Sequence, residues 1–171
     1  MGIVSPQRYL TSIDVIDLDD LVRCGVRALL LDRDNTVIPR STGVAPAPVE
    51  AWMRGARERG LRICFVSNND YENVEPTARL YGAGLVAKAH KPRPDGLLQA
   101  ARQLDVEPSS CFVVGDQLYT DIFAAKLAHM RHALVVPQCA QDLWYSPPMR
   151  AMECLLLHGL KPASTWFPLS C

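Results

Sequence analysis

At 171 residues, with 49% hydrophobic and 21% charged side chains, the chain has an ordinary globular composition and length enough for one domain with a substantial core. Its formal net charge of zero argues against a nucleic-acid partner, which draws a basic excess. No apolar stretch reaches the roughly 20 residues of a membrane span, and residues 1–6 lack the basic-then-apolar pattern of a secretory signal, so the expected compartment is the cytoplasm.

Elements follow in chain order. Residues 18–24 suit a short helix ended by Gly25, and a βα alternation then begins. The run 26–31 is too continuously apolar for a strand with one wet face. Residues 48–59 form a helix pattern, with Pro48 near its start and Gly60 after its end. A second strand is predicted at 61–66, and a weaker helix, interrupted or started by Pro76, at 72–81. A short strand at 85–87, a helix at 94–104, a strand at 111–114, a helix at 120–130 and a strand at 133–136 complete the series. Strands alternating with helices imply an α/β, three-layer Rossmann-like fold around a parallel sheet. The expected organisation is one domain over 1–171, with a core at 26–136 and terminal extensions packed on it.

The six cysteines, Cys24, Cys64, Cys111, Cys139, Cys154 and Cys171, include no CxxC pair. Cys64 and Cys111 lie in apolar runs and read as core thiols. Neither a zinc site nor a disulfide framework is expected.

In open parallel sheets, ligands bind outside the carboxyl ends of the strands. The residues at those ends are therefore the informative ones. Asp32-Arg33-Asp34-Asn35-Thr36 follows the first strand, and in an extended segment Asp32 and Asp34 face one side with Arg33 on the other. One carboxylate can attack phosphorus and the other can move protons; an Asx turn would use the same residues. By the same alternation Arg33 points away from the metal, and a structural salt bridge is its expected role. Ser67 and Asn68 follow the second strand, where a hydroxyl and backbone N–H groups can hold phosphate oxygens or merely cap a helix. Lys91 follows the third, with Lys88 a weaker candidate and His90 without an evident partner. Gly115-Asp116 follows the fourth, and Asp121 opens the next helix. Asp116 with Asp32 suits a hard divalent cation such as Mg²⁺. Asp121 can orient Lys91 or metal-bound water, or favour the positive helix end.

The ordered set Asp32-x-Asp34-x-Thr36, Ser67, Lys91 and Gly115-Asp116 with Asp121 resembles the haloacid dehalogenase-like phosphatase superfamily over residues 26–136. The resemblance implies Asp32 as nucleophile and Mg²⁺ ligand. Asp34 becomes general acid/base and lends its backbone carbonyl to the metal. Ser67, Asn68 and Lys91 bind the phosphoryl group, Asp116 completes the metal site, and Thr36 and Asp121 support it. It also implies that the first and fourth of these strands are neighbours. Ser67 lies 35 positions after Asp32, and Lys91 a further 24, leaving no room for a sizeable cap domain. An open site suits a phosphate displayed on something large. Among capless, subfamily IIIA members, the zinc-loop phosphatases are disfavoured because no cysteine stands between Cys64 and Cys111.

The segments 32–36, 66–69, Lys91-Pro92 and 115–121, with Pro6, Tyr9 and Leu10, are similar to the branch that includes phosphatidylglycerophosphate phosphatases, although that branch usually has Leu where Arg33 stands. This implies a lipid head-group phosphate at the inner membrane surface. Residues 143–160, rich in aromatics and Leu, are a candidate interfacial element or a tail packed on the core. The competing expectations are a soluble phosphatase for a sugar phosphate, nucleotide or phosphoprotein, and a phospho-acceptor signalling module. The motif order disfavours the second. Oligomeric state is not legible.

Overall fold

A computed structural model of the protein describes residues 5–139, 157 and 159–169. Strand β2, Ala28–Leu31, is buried at every position and lies inside a six-stranded sheet. The other strands are β1 (Tyr9–Leu10), β3 (Arg62–Val66), β4 (Gly84–Val86), β5 (Cys111–Gly115) and β6 (Arg131–Val135). Their spatial order is β1-β6-β5-β2-β3-β4, and every pairing is parallel. The fold is therefore the α/β, Rossmann-like architecture expected from the alternation.

Successive residues of the strands feed opposite faces, as a period of two requires. Leu29, Leu31, Phe65, Phe112 and Val114 pack against helices α2 (Ala47–Glu58) and α3 (Tyr71–Leu80). Leu30, Cys64, Val66 and Val113 pack against α4 (Asp95–Gln103) and α5 (Phe123–Leu127). Helix α2 buries Val49, Trp52, Met53 and Ala56, the i, i+3, i+4, i+7 stripe of an amphipathic helix. Burying each large aliphatic side chain of this core contributes roughly 2 kcal/mol.

Three elements depart from expectation. Helix α3 runs through Pro76. The bond that proline cannot make would go to the carbonyl of Glu72, in the exposed first turn where water can serve. The helix expected at 120–130 is instead a π-helical turn, Leu118–Ile122, leading into α5. The sequence predicts no strand before residue 26, yet β1 pairs with β6 at the sheet edge. Two residues are too few to carry a periodic signal.

Residues 161–169 close over that edge. Ala163 bridges Leu10, and its N–H donates to the Tyr9 carbonyl at 2.9 Å. Trp166 meets Phe112 edge-on and donates to Asp20 Oδ2 at 2.7 Å, beside the Leu169 N–H at 2.8 Å. Asp20 also caps its charge on Arg23, at the end of α1 (Leu18–Arg23). Most of the segment 143–160 lies outside the described residues. Cys64, Cys111 and Cys139 are free thiols, but Cys24 is disulfide-bonded, contrary to the expectation from spacing. Its partner lies outside the described residues.

Candidate active site

The chain leaves β2 for β3 and β4 on one side, then returns to place β5 on the other. This makes the β2–β5 boundary the topological switch point. Asp32 follows β2 and Asp116 follows β5, and the two strands pair directly in register. The Asp32 N–H continues the ladder by donating to the Val114 carbonyl at 2.9 Å. Carboxylates 84 positions apart in sequence are thereby held side by side.

Lys91 is the positive centre of this end of the sheet, its side chain only 3% exposed. The ammonium donates to Asp32 Oδ1 at 2.7 Å, Asp121 Oδ1 at 2.6 Å and the Val66 carbonyl at 2.7 Å. All three of its protons are used. Burial works against the Lys91 charge, but the carboxylates of Asp121 and Asp32 outweigh it and hold the lysine above its ordinary value. Asp32 is pushed up to about 7, first by burial, then by the charges of Asp121 and Asp34, against the opposing pull of Lys91.

Carboxylate oxygens of Asp32, Asp116 and Asp121 lie within 4.8 Å of one another. The Thr36 hydroxyl donates to Asp116 Oδ1 at 3.3 Å. Asp121 Oδ2 accepts the Gln117 N–H at 3.1 Å, across the π-helical turn. This carboxylate lies directly over Gly115, where a Cβ would come within 2.3 Å of its Cγ. Gly115 therefore sets how close Asp121 approaches, a role that its place beside Asp116 did not reveal.

The second strand end splits its work. Ser67 is buried, and its hydroxyl accepts the Asn69 N–H at 3.1 Å. Asn68 grips the lysine segment: Nδ2 donates to the Lys91 carbonyl at 3.0 Å and Oδ1 accepts the Lys91 N–H at 2.7 Å. The Asn68 amide is thus a clamp on Lys91, whereas the sequence assigned it to phosphate. Lys88 pairs with Asp70 in an exposed bridge of 2.8 Å and His90 is exposed, so neither joins the cluster.

Asp34 lies one step out. The three-carboxylate cluster contains Asp121 and not the Asp34 side chain. The chain turns at Asn35, with φ +60, and Asn35 N–H donates to the Ile38 carbonyl at 2.8 Å. Asparagine tolerates that left-handed backbone better than most residues. The turn brings Arg40 back to Asp34, at 3.3 Å from Oδ2. Arg33 Nη1 lies 2.5 Å from Asp34 Oδ1, and Arg33 Nε donates to Thr77 Oγ1 at 2.9 Å. Arg33 does make a salt bridge, but with the neighbouring site carboxylate rather than away from it, because the segment is a turn and not a strand. Asn69 Nδ2 also donates to Asp34 Oδ2. Arg40 and Asn69 belong to the site and were not assigned to it from the sequence, although Asn69 stands next to Ser67-Asn68; Gly115 was legible as part of the Gly115-Asp116 motif but not as the seat of Asp121.

With this geometry in place, similarity to known proteins is informative. A family model described as haloacid dehalogenase-like hydrolase matches residues 47–129. The chain is similar to haloacid dehalogenase-like hydrolases over that stretch. It is an enzyme of the phosphatase kind, in keeping with the second aspartate of its first motif. "Probable phosphatase YqeG" of Bacillus subtilis (strain 168) is 28% identical over 156 residues, covering 91% of each chain. The family match begins after residues 32–34, so the nucleophile segment rests on the geometry above. Two solved structures share the fold: an uncharacterized protein from Listeria monocytogenes serotype 4b and a hypothetical protein from Xanthomonas campestris. The first has a TM-score of 0.54 at 15% identity, covering 77% of this chain and 98% of its own. The second has a TM-score of 0.51 at 14% identity, covering 71% and 68%.

Proposed function

We propose that this chain is a Mg²⁺-dependent phosphomonoester hydrolase that carries the phosphoryl group on Asp32. The observation that carries the proposal is the buried Lys91 bridge between Asp32 and Asp121, at 2.7 and 2.6 Å, beside Asp116. Hard carboxylate oxygens at this spacing suit Mg²⁺, with Asp32 and Asp116 as its carboxylate ligands and the Asp34 carbonyl as a third. When bound, the ion neutralises phosphate charge and orients the ester.

An Asp32 oxygen attacks phosphorus, and the bond to the leaving oxygen breaks as Asp34 gives that oxygen its proton. Water then attacks the aspartyl-phosphate, losing a proton to Asp34, and the Asp32–phosphorus bond breaks to release phosphate. Ser67 and the backbone around Asn68 receive the phosphoryl oxygens. Lys91 holds Asp32 in place and offsets charge. Thr36 steadies Asp116, and Asp121 steadies Lys91.

The substrate is proposed to be large or surface-displayed, with phosphatidylglycerophosphate the first candidate. Between β2 and β3 the chain has one loop and α2, and between β3 and β4 only α3, so neither segment supplies a domain to fold over the strand ends. Among the described residues no helix is long and apolar enough to cross a membrane. A lipid substrate would therefore be met at the surface.

The test is Mg²⁺-dependent phosphate release from phosphatidylglycerophosphate and from soluble phosphomonoesters, with Asp32→Asn beside the wild type. Asp32-dependent turnover supports the mechanism, and preference for the lipid supports the substrate. Turnover of soluble esters alone removes the lipid assignment. Full activity in Asp32→Asn would overturn the nucleophile, and a stable phosphoryl-protein without turnover would favour a phospho-acceptor module.

A further inference from the structure

A cleft of about 420 Å³ opens beside the site, lined in part by Arg33, Asp34, Pro39, Arg40, Asn69 and Asn73. Two guanidiniums flank one carboxylate there, with the side chains of Arg33 and Arg40 only 19% and 25% exposed. One positive charge is left over. Arg40 Nε is buried and makes no hydrogen bond among the described residues. A buried guanidinium donor is costly to leave unmet, and guanidiniums match anionic oxygens in geometry as well as charge.

The position of the cleft gives this surplus a meaning. In an in-line displacement the leaving oxygen departs opposite the attacking Asp32. Asp34 must reach that oxygen to protonate it. Whatever the leaving oxygen is attached to therefore lies beyond Asp34, in the direction of Arg33 and Arg40. A neutral alcohol would leave the surplus positive charge of this arginine pair unbalanced.

We infer that Arg33 and Arg40 form an anion subsite for the leaving group, so that the preferred substrate is a phosphomonoester whose alcohol carries a second anionic group of the phosphate type. This deepens the phosphatase proposal and rests on it. The subsite is a matter of affinity, and the chemistry at Asp32 is a matter of turnover, so the two can fail separately. Asp34 takes part in both, held between the arginines when the cleft is empty.

The experiment measures binding to the full-length Asp32→Asn protein with Mg²⁺, by calorimetry. The probes are glycerol 3-phosphate, with one anionic group, and glycerophosphoglycerol phosphate, the soluble head group with two. The two-anion probe is expected to bind about 10- to 100-fold tighter, as a charge-assisted guanidinium contact supplies. Adding Arg40→Gln should cut that ratio at least tenfold, and Arg40→Lys should restore part of it. Thermal unfolding of each variant checks that the fold is intact. Equal affinities for the two probes, including no measurable binding of either, overturn the inference, and so does a ratio unmoved by Arg40→Gln. A ratio lost in Arg40→Gln while the wild type releases no phosphate from either probe would uphold the subsite and sink the phosphatase reading. Replacing the soluble head group by the intact lipid in micelles separates the sources: further tightening points to the lipid, and none to a soluble diester.

Discussion

Gly115→Ala is the most exacting test of how the site is built, because it changes one methyl group and no charge. A Cβ on residue 115 would lie 2.3 Å from both Cγ and Oδ2 of Asp121, where ordinary contact begins at 3.4 Å. The Asp121 carboxylate must retreat by about 1 Å, since Gly115 is the last residue of a central strand and cannot yield. Lys91 now lies 2.6 Å from Asp121, and both side chains are 3% exposed. The retreat draws the ammonium away from Asp32 or strands it between partners. A misplacement of that size costs on the order of 100-fold in turnover. Overpacking costs about 2 kcal/mol, which for a chain of this size lowers Tm by roughly 4–8 °C. The assay is Mg²⁺-dependent phosphate release beside thermal unfolding of the same preparation. A Gly115→Ala protein with wild-type kcat and Tm would refute the claim that Asp121 closes over Gly115 to fix Lys91.

Asn68→Ala removes both bonds from the Asn68 amide to the Lys91 backbone. It should cost about 1–2 kcal/mol in urea unfolding and lower kcat/KM about tenfold, with Asn68→Asp intermediate because it keeps the acceptor. His132 is buried, its Nδ1 3.0 Å from the Met130 carbonyl and its Nε2 without a partner among the described residues. Burial holds it below its ordinary value of 6.5, helped by the nearby Lys126 charge and opposed by the Met130 carbonyl. The unfolded chain then binds the proton more readily, so this stability is full above pH 6.5 and drains as pH falls toward the folded value. His132→Phe should flatten the fall in the unfolding free energy from urea titrations between pH 7 and 5, by up to about 1.4 kcal/mol per pH unit. An unchanged slope would show that His132 does not titrate on unfolding.

The central layers of the fold were legible because burial on both faces writes a strand as an unbroken apolar run, as in Ala28–Leu31 and Cys111–Gly115. Asp32, Ser67, Lys91 and Asp116 were legible for a related reason: each follows such a run, and the topology brings the ends together. What escaped was set by contacts distant in sequence. Strand β1 exists because residue 163 and β6 supply its partners. The Cys24 disulfide depends on a partner that spacing does not disclose. The salt bridge of Arg33 was expected but its partner Asp34 was not, because the segment turns at Asn35 instead of continuing the strand. The π-helical turn was unreadable because Asp121 packs over Gly115 in space, and no periodicity records that approach.

The charge balance of the site leads to the final expectation. Asp32, Asp116 and Asp121 bring three carboxylates within 4.8 Å, and Lys91 is the cation that bonds two of them. With all four groups ionised, two negative charges stand unbalanced in a buried space, which is unfavourable until a divalent cation binds. The Lys91 protons go to Asp32, Asp121 and the Val66 carbonyl, so among the three carboxylates Asp116 is the one whose charge the cation is expected to offset most. Asp116→Asn keeps an oxygen for the Thr36 hydroxyl and removes one of the repelling charges. Without Mg²⁺, its Tm should equal or exceed that of the wild type. With Mg²⁺ at about 100 times its Kd, the wild type should gain about 2.7 kcal/mol, or roughly 5–11 °C, and Asp116→Asn should gain little. Thermal unfolding with and without Mg²⁺ and chelator reads both halves. An Asp116→Asn protein that is destabilised without metal yet keeps the full Mg²⁺ shift would mean that Asp116 is structural and that the ion, if bound, is held elsewhere.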